Sequence, residues 1–127
     1  MKDIEDLASI KLMVNAFYQK VGEDDMLRPV FSRVINDDWQ PHLDKMYAFW
    51  NAALFSVPGF KGNPFARHAP LPIGTPHFNR WITLFEQTIN ENFTGPVADD
   101  AKKRAGLMSE LFQHKLAAMK DSSKVIL

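Results

Sequence analysis

The chain has 127 residues, 46% of them hydrophobic and 24% charged, a composition that fits one ordinary globular domain spanning residues 1–127 and excludes a disordered tail. Fifteen Lys+Arg balance fifteen Asp+Glu, so the long-range field that would draw a protein to nucleic acid or to an anionic membrane is missing. Cysteine is absent, which removes disulfide frameworks, thiolate metal sites, iron–sulfur clusters and cysteine nucleophiles, and leaves His, Asp, Glu, Met and Tyr as ligand types. A domain of this length buries roughly two-thirds of its extended-chain surface and needs no metal merely to fold, so any cofactor would be functional. The segment from Met1 to Asp6 has no basic region leading into an apolar run, and no stretch reaches about 18 uninterrupted apolar residues. The expectation is a cytoplasmic protein.

Ile10, Met13, Val14, Phe17, Tyr18 and Val21 fall at the spacing of one helix face, with Ser9 as N-cap and Gly22 as a left-handed stop. Asp3 suits the start of a short preceding turn. From Asp24 to Phe31, turn residues and Pro29 predict only a short helical turn that brings Phe31 inward. Either Asp37 or Asp38 can cap a second long helix, in which Pro41 is tolerated in the first turn and Trp39, His42, Leu43, Met46, Trp50, Ala53 and Leu54 form the apolar face. Residues 56–64 read as an ordered loop. Thr75-Pro76 opens a third long helix as cap and first helical residue, with Phe78, Trp81, Ile82, Phe85, Ile89 and Phe93 facing the core, and Gly95-Pro96 stops it. Asp99 or Asp100 caps a last helix carrying Ala101, Ala105, Met108, Phe112, Leu116 and Met119 inward, with Ser122-Ser123 in a frayed tail. No segment alternates with period two, so the fold class is all-α.

The four histidines at 42, 68, 77 and 114 form no local zinc motif. His114 and His77 read as surface residues, and His42, taken alone, as an interior histidine satisfied by a hydrogen bond. His68 differs, because Phe65-Ala66-Arg67-His68-Ala69-Pro70-Leu71-Pro72 surrounds it with apolar and rigid residues and gives it almost no helix. A loop fixed by prolines can aim an imidazole, and haem needs only one such axial ligand, since the porphyrin supplies four nitrogens. A loop histidine bonded to backbone is the equal alternative. Ten Phe, three Trp and two Tyr could line a flat ligand, although aromatic stripes at helical spacing are core more often than cofactor box. Tyr18 and Trp81 carry an O–H and an indole N–H that need partners if their stripes are buried, and a bound diatomic molecule could be that partner.

Three ordered blocks then make the chain similar to a known family. The segment Asp38-Trp39-Gln40-Pro41-His42-Leu43-Asp44-Lys45-Met46-Tyr47-Ala48-Phe49-Trp50 resembles the distal helix of the group III truncated haemoglobins. The segment Phe60-Lys61-Gly62-Asn63-Pro64-Phe65-Ala66-Arg67-His68-Ala69-Pro70-Leu71-Pro72 resembles their proximal loop, and His77-Phe78-Asn79-Arg80-Trp81-Ile82-Thr83-Leu84-Phe85-Glu86 completes the set. No two glycines are adjacent, so the double-glycine motifs of other truncated haemoglobins are missing, as expected of the third group. The resemblance implies a two-over-two helical sandwich around a non-covalent haem b, with His68 as iron ligand and Phe31 against the porphyrin face. Met46 and Phe60 are further implied cofactor contacts, and Arg67 is a propionate partner by charge and position, or else a solvent-paired cation. Tyr18 and Trp81 are implied donors into the distal pocket, with His42 at the position that contacts or gates the ligand.

The function so implied is that of a pentacoordinate haem protein for O2, CO, NO or similar small ligands, with a polar distal pocket suited to redox detoxification of nitric oxide or peroxide and served by a reductase. The alternatives are a non-catalytic O2-binding or sensing module, and a haem-free helical interaction protein. A monomer or weak dimer is expected, with no nucleic-acid or membrane partner.

Overall fold

The computed structural model describes residues 1–34, 38–60 and 73–126, the side chains of 34 and 119–126 excepted. Among the described residues five helices occur and no strand: α1 (Leu7–Glu23), α2 (Arg28–Val34), α3 (Gln40–Phe55), α4 (Thr75–Asn92) and α5 (Pro96–Ile126). The main packing contacts join α1 to α3, α1 to α4, and α4 to α5. A three-residue link forces α4 and α5 antiparallel, and Phe78 near the start of one meets Phe112 and Leu116 late in the other. The pairs α1/α3 and α4/α5 therefore stack as two layers, with α1 crossing α4.

The apolar stripes settle where their spacing directs them. Ile10, Met13, Val14, Phe17 and Val21 of α1 are all buried, and Phe78, Phe85 and Ile89 of α4 are buried together with Leu84 and Thr88. Thr88 is tolerated there because its hydroxyl donates to the Leu84 carbonyl at 2.8 Å. Burial of each large side chain such as Phe85 or Ile89 contributes about 1.5–3 kcal/mol. Trp50 and Trp81 both lie parallel to Phe85, with ring centroids 5.1 and 5.7 Å away, and Phe17 meets Phe85 edge-on at 5.4 Å. Tyr47, absent from the predicted stripe, is also buried and donates its hydroxyl to Asn15 Oδ1 across the α1/α3 contact.

The helix ends differ from expectation more than the helices do. Asp6, not Ser9, caps α1, its carboxylate accepting the Ser9 N–H at 2.9 Å. Gly22 lies inside α1, which stops at Asp24 in an extended conformation. Pro29 does not break α2, because it falls in the first turn where no N–H partner is lost. Asp38 accepts the Gln40 N–H at 3.2 Å at the head of α3; Asp37 lies outside the described residues. Gly74 is the N-cap of α4, with Thr75 already helical. The head of α5 is capped neither by Asp99 nor by Asp100 but by Asp3, whose two oxygens accept the N–H groups of Val97 and Ala98 at 2.9 and 2.8 Å. Gly95-Pro96 accordingly launches α5, since α4 has already ended at Asn92. Helical backbone continues through Ile126, past Ser122-Ser123.

Candidate functional site

Between the two helical layers lies a cleft that is partly open to solvent. On the α1–α2 side it is walled by Phe17, Tyr18, Leu27, Val30 and Phe31, and on α3 by His42, Met46, Phe49 and Trp50. Ile73 with His77, Phe78 and Trp81 of α4, and Met108, Ser109 and Phe112 of α5, complete it. This is the character of a small-molecule site: apolar walls with a few polar groups.

The polar groups are unevenly placed. The Tyr18 ring is met edge-on by His42 at 4.9 Å, by Phe17 at 4.9 Å and by Phe31 at 5.9 Å. Phe31 stacks in turn on Trp39 at 6.1 Å. Helical spacing explains the gathering: Tyr18 sits one residue after the core-facing Phe17, at the edge of the buried stripe, and His42 occupies the matching edge of α3. Burial pushes the Tyr18 phenol above its ordinary pKa, so its oxygen keeps a proton to donate throughout the physiological range. Nε2 of His42 is also buried. Trp81, edge-on to Phe17 at 5.5 Å, brings its indole to the same cleft from α4.

Of the residues singled out from sequence, Tyr18, Phe31, His42, Met46 and Trp81 thus share one cavity. Phe60 does not line it but meets the lining Phe49 edge-on at 5.3 Å. His68 and Arg67 lie outside the described residues. His114 is exposed, as expected, whereas His77 is not a plain surface histidine. It lines the cleft, and its Nδ1 accepts the Gly74 N–H at 3.1 Å, so its proton resides on Nε2. The usable signal was its place at the third helical residue, where a side-chain acceptor reaches back to the cap. Ser109, buried and lining the cleft, was missed because a serine within a helix carries no pattern of its own.

A flat macrocycle fits these residues. Aromatic and aliphatic side chains supply the walls, and donors are confined to a few positions. Comparison with known proteins agrees. Residues 4–117 match the bacterial-like globin family. The chain is 30% identical over 112 residues to a group 3 truncated hemoglobin of Campylobacter jejuni, covering 85% of this chain and 88% of that protein. A crystal structure of a group III truncated hemoglobin from Campylobacter jejuni superposes with a TM-score of 0.84 at 29% identity, covering 91% of this chain and 95% of the other. With helical layers, cleft and sequence in agreement, the chain belongs to the bacterial-like globins and, among them, to the group III truncated haemoglobins.

Proposed function

We propose that the chain holds non-covalent haem b with His68 as the single protein ligand to iron, and uses it on O2, nitric oxide or peroxide in redox detoxification supported by a separate reductase. Globin membership carries the coarser part, haem-based binding of small gaseous ligands. The observation that carries the rest is the meeting of Tyr18, Trp81 and His42 at one cleft whose walls are mostly apolar. Bound haem would supply the iron that takes a diatomic ligand, held by an imidazole at 68 and packed by Phe31 and Met46. Arg67 suits a propionate by charge.

The remaining chemistry belongs to the side chains. Tyr18 retains its phenolic proton because its environment disfavours the anion, so it donates to any polarised atom in the cleft. The Trp81 indole can only donate. Apolar walls exclude water that would compete for both, and each hydrogen bond to a partly charged ligand is worth about 1.5–3 kcal/mol, or roughly ten- to a hundredfold in dissociation rate. Retention that tight suits a catalyst better than a carrier.

The test begins with the absorption spectrum of the ferrous protein with and without O2 and CO. His68→Ala abolishes stable haem binding, whereas His42→Ala keeps haem and changes ligand kinetics; equal retention in both variants contradicts the axial assignment. Rapid conversion of nitric oxide to nitrate with a competent reductase supports the enzyme, and a stable O2 complex without turnover makes the protein a binder instead.

A further inference from the structure

Asp24 is the most heavily engaged carboxylate beside the cleft. Its side chain is only 4% exposed, and its Oδ2 accepts the N–H groups of Leu27 and Met26 at 2.9 and 3.1 Å. Oδ1 receives Arg80 Nε at 2.6 Å. The Asp24 backbone carbonyl takes the Arg28 N–H at 2.9 Å, and its own N–H donates to Val21. One residue therefore fixes the end of α1, the turn into α2 and the first half of α4. The partner cation comes from the residue directly before Trp81, and Leu27, whose N–H the carboxylate holds, lines the same cleft as Trp81.

The contacts of the Trp81 ring itself are parallel to Phe85 and edge-on to Phe17. Such contacts limit the ring plane but tolerate sliding or rotation of α4 along α1, because they have little directionality. A charge-assisted bond from a buried carboxylate does have direction. The other ion pair between α1 and α4, Lys20 to Glu91 at 3.0 Å, joins side chains 28% and 57% exposed, and pairs of that kind hold geometry weakly. In the Asp24–Arg80 pair the guanidinium is 46% exposed but the carboxylate only 4%, and this tie, anchored on a buried acceptor, is the one that lies next to the cleft.

We propose that the Asp24–Arg80 pair is a positioning device that sets where the Trp81 indole N–H points into the ligand cleft. This rests on the reading of Trp81 as a ligand donor. Arg80 acts through Trp81, so removing it costs ligand retention only while the indole is present.

The experiment is a cycle of Arg80→Leu, Trp81→Phe and the double variant, read by O2 and CO dissociation from the haem-loaded protein. Arg80→Leu raises the O2 dissociation rate roughly three- to tenfold, the size expected of a coupled neighbour, with CO dissociation changed less than about twofold. In the Trp81→Phe background the same substitution adds nothing further, and Arg80→Lys restores the parent rate to within about twofold. The same multiplication in both backgrounds, or no change in either, overturns the proposal. A second arm uses 15N-labelled haem-free chain: the Trp81 indole N–H resonance, assigned by its loss in Trp81→Phe, moves in Arg80→Leu and returns towards its parent position in Arg80→Lys. An unmoved resonance overturns the proposal even if the parent chain takes up no haem, a result that would refute the functional reading separately. Should Arg80→Leu not fold, Asp24→Asn carries the same comparison, because it keeps an acceptor for the Leu27 and Met26 N–H groups.

Discussion

Two aspartates organise the ends of helices in the same way, one beside the cleft and one away from it. Asp3 draws the N-terminal segment onto the head of α5, accepting from Val97, Ala98 and its neighbour Ile4, while the Lys2 carbonyl takes the Thr94 N–H at 3.0 Å. Asp24 draws α1, α2 and α4 together, but with a cation added and with cleft-lining residues on either side. Neutral backbone donors suffice where only a chain crossing must be held. A guanidinium enters where an aromatic donor must also be placed. The difference teaches that this fold separates the contacts that keep it closed from those that shape its interior.

The comparison is broken most forcefully from the cleft side. Tyr18→Phe removes one donor with little change in packing, and O2 dissociation from the loaded protein rises roughly ten- to a hundredfold; stopped-flow displacement measures it. If Tyr18→Phe and Trp81→Phe both leave the rate unchanged, the donor account of the cleft is wrong. On the closing side, Gly95 is the sharpest position. Its φ is +140°, and a Cβ there would sit 2.5 Å from Asp3 Cγ and 2.6 Å from Asp3 Oδ2. Gly95→Ala therefore adds backbone strain and displaces the cap together, for about 2–4 kcal/mol, with a melting temperature lowered by roughly 10 °C and ligand kinetics unaltered.

Much of this separation is legible in the sequence alone. The stripe from Ile10 to Val21 places Tyr18 at the rim of the core, and Phe78, Trp81 and Phe85 fix the inward face of α4, because a 3.6-residue period leaves few ways to bury such side chains. The short Pro29 segment does carry Phe31 inward. What the sequence hides are contacts between distant residues: Asp3 capping a helix more than ninety positions away, and Asp24 choosing Arg80 from α4. Local capping rules favour Asp99 and Asp100, which lie far nearer in sequence to the start of α5 than Asp3 does, and such rules contain no term for a chain that folds back. His77 is misplaced for a related reason, since its polar neighbours in the first turn conceal that the turn borders a cavity.

Acid sharpens the comparison at an intermediate size. Burial raises the pKa of Asp24 and of Asp3, but it is outweighed by the Arg80 and backbone donors at Asp24 and by three backbone N–H groups at Asp3, so both fold with pKa values below the ordinary aspartate range. Between that lowered value and the unfolded value of about 3.9, the unfolded chain binds more protons, and stability rises with pH. The contribution is complete above pH ~4–5 and is lost as pH falls through the folded pKa. Urea unfolding from pH 6 down to 2 reads it. Asp24→Asn and Asp3→Asn each flatten the acid limb of that profile, and only Asp24→Asn also alters O2 dissociation. A profile unchanged by both substitutions removes the electrostatic part of the account.

The smallest expected effect is at His77, which joins the two functions in one side chain. Its Nδ1 satisfies the Gly74 N–H that α4 would otherwise leave open, and loss of such a reach-back bond costs about 0.5–1 kcal/mol. His77→Ala lowers the urea midpoint by that amount, while His77→Gln, whose side-chain oxygen can accept the same N–H, recovers most of it. A glutamine variant no more stable than alanine shows that the imidazole contributes by filling the cleft wall and not by closing the helix end.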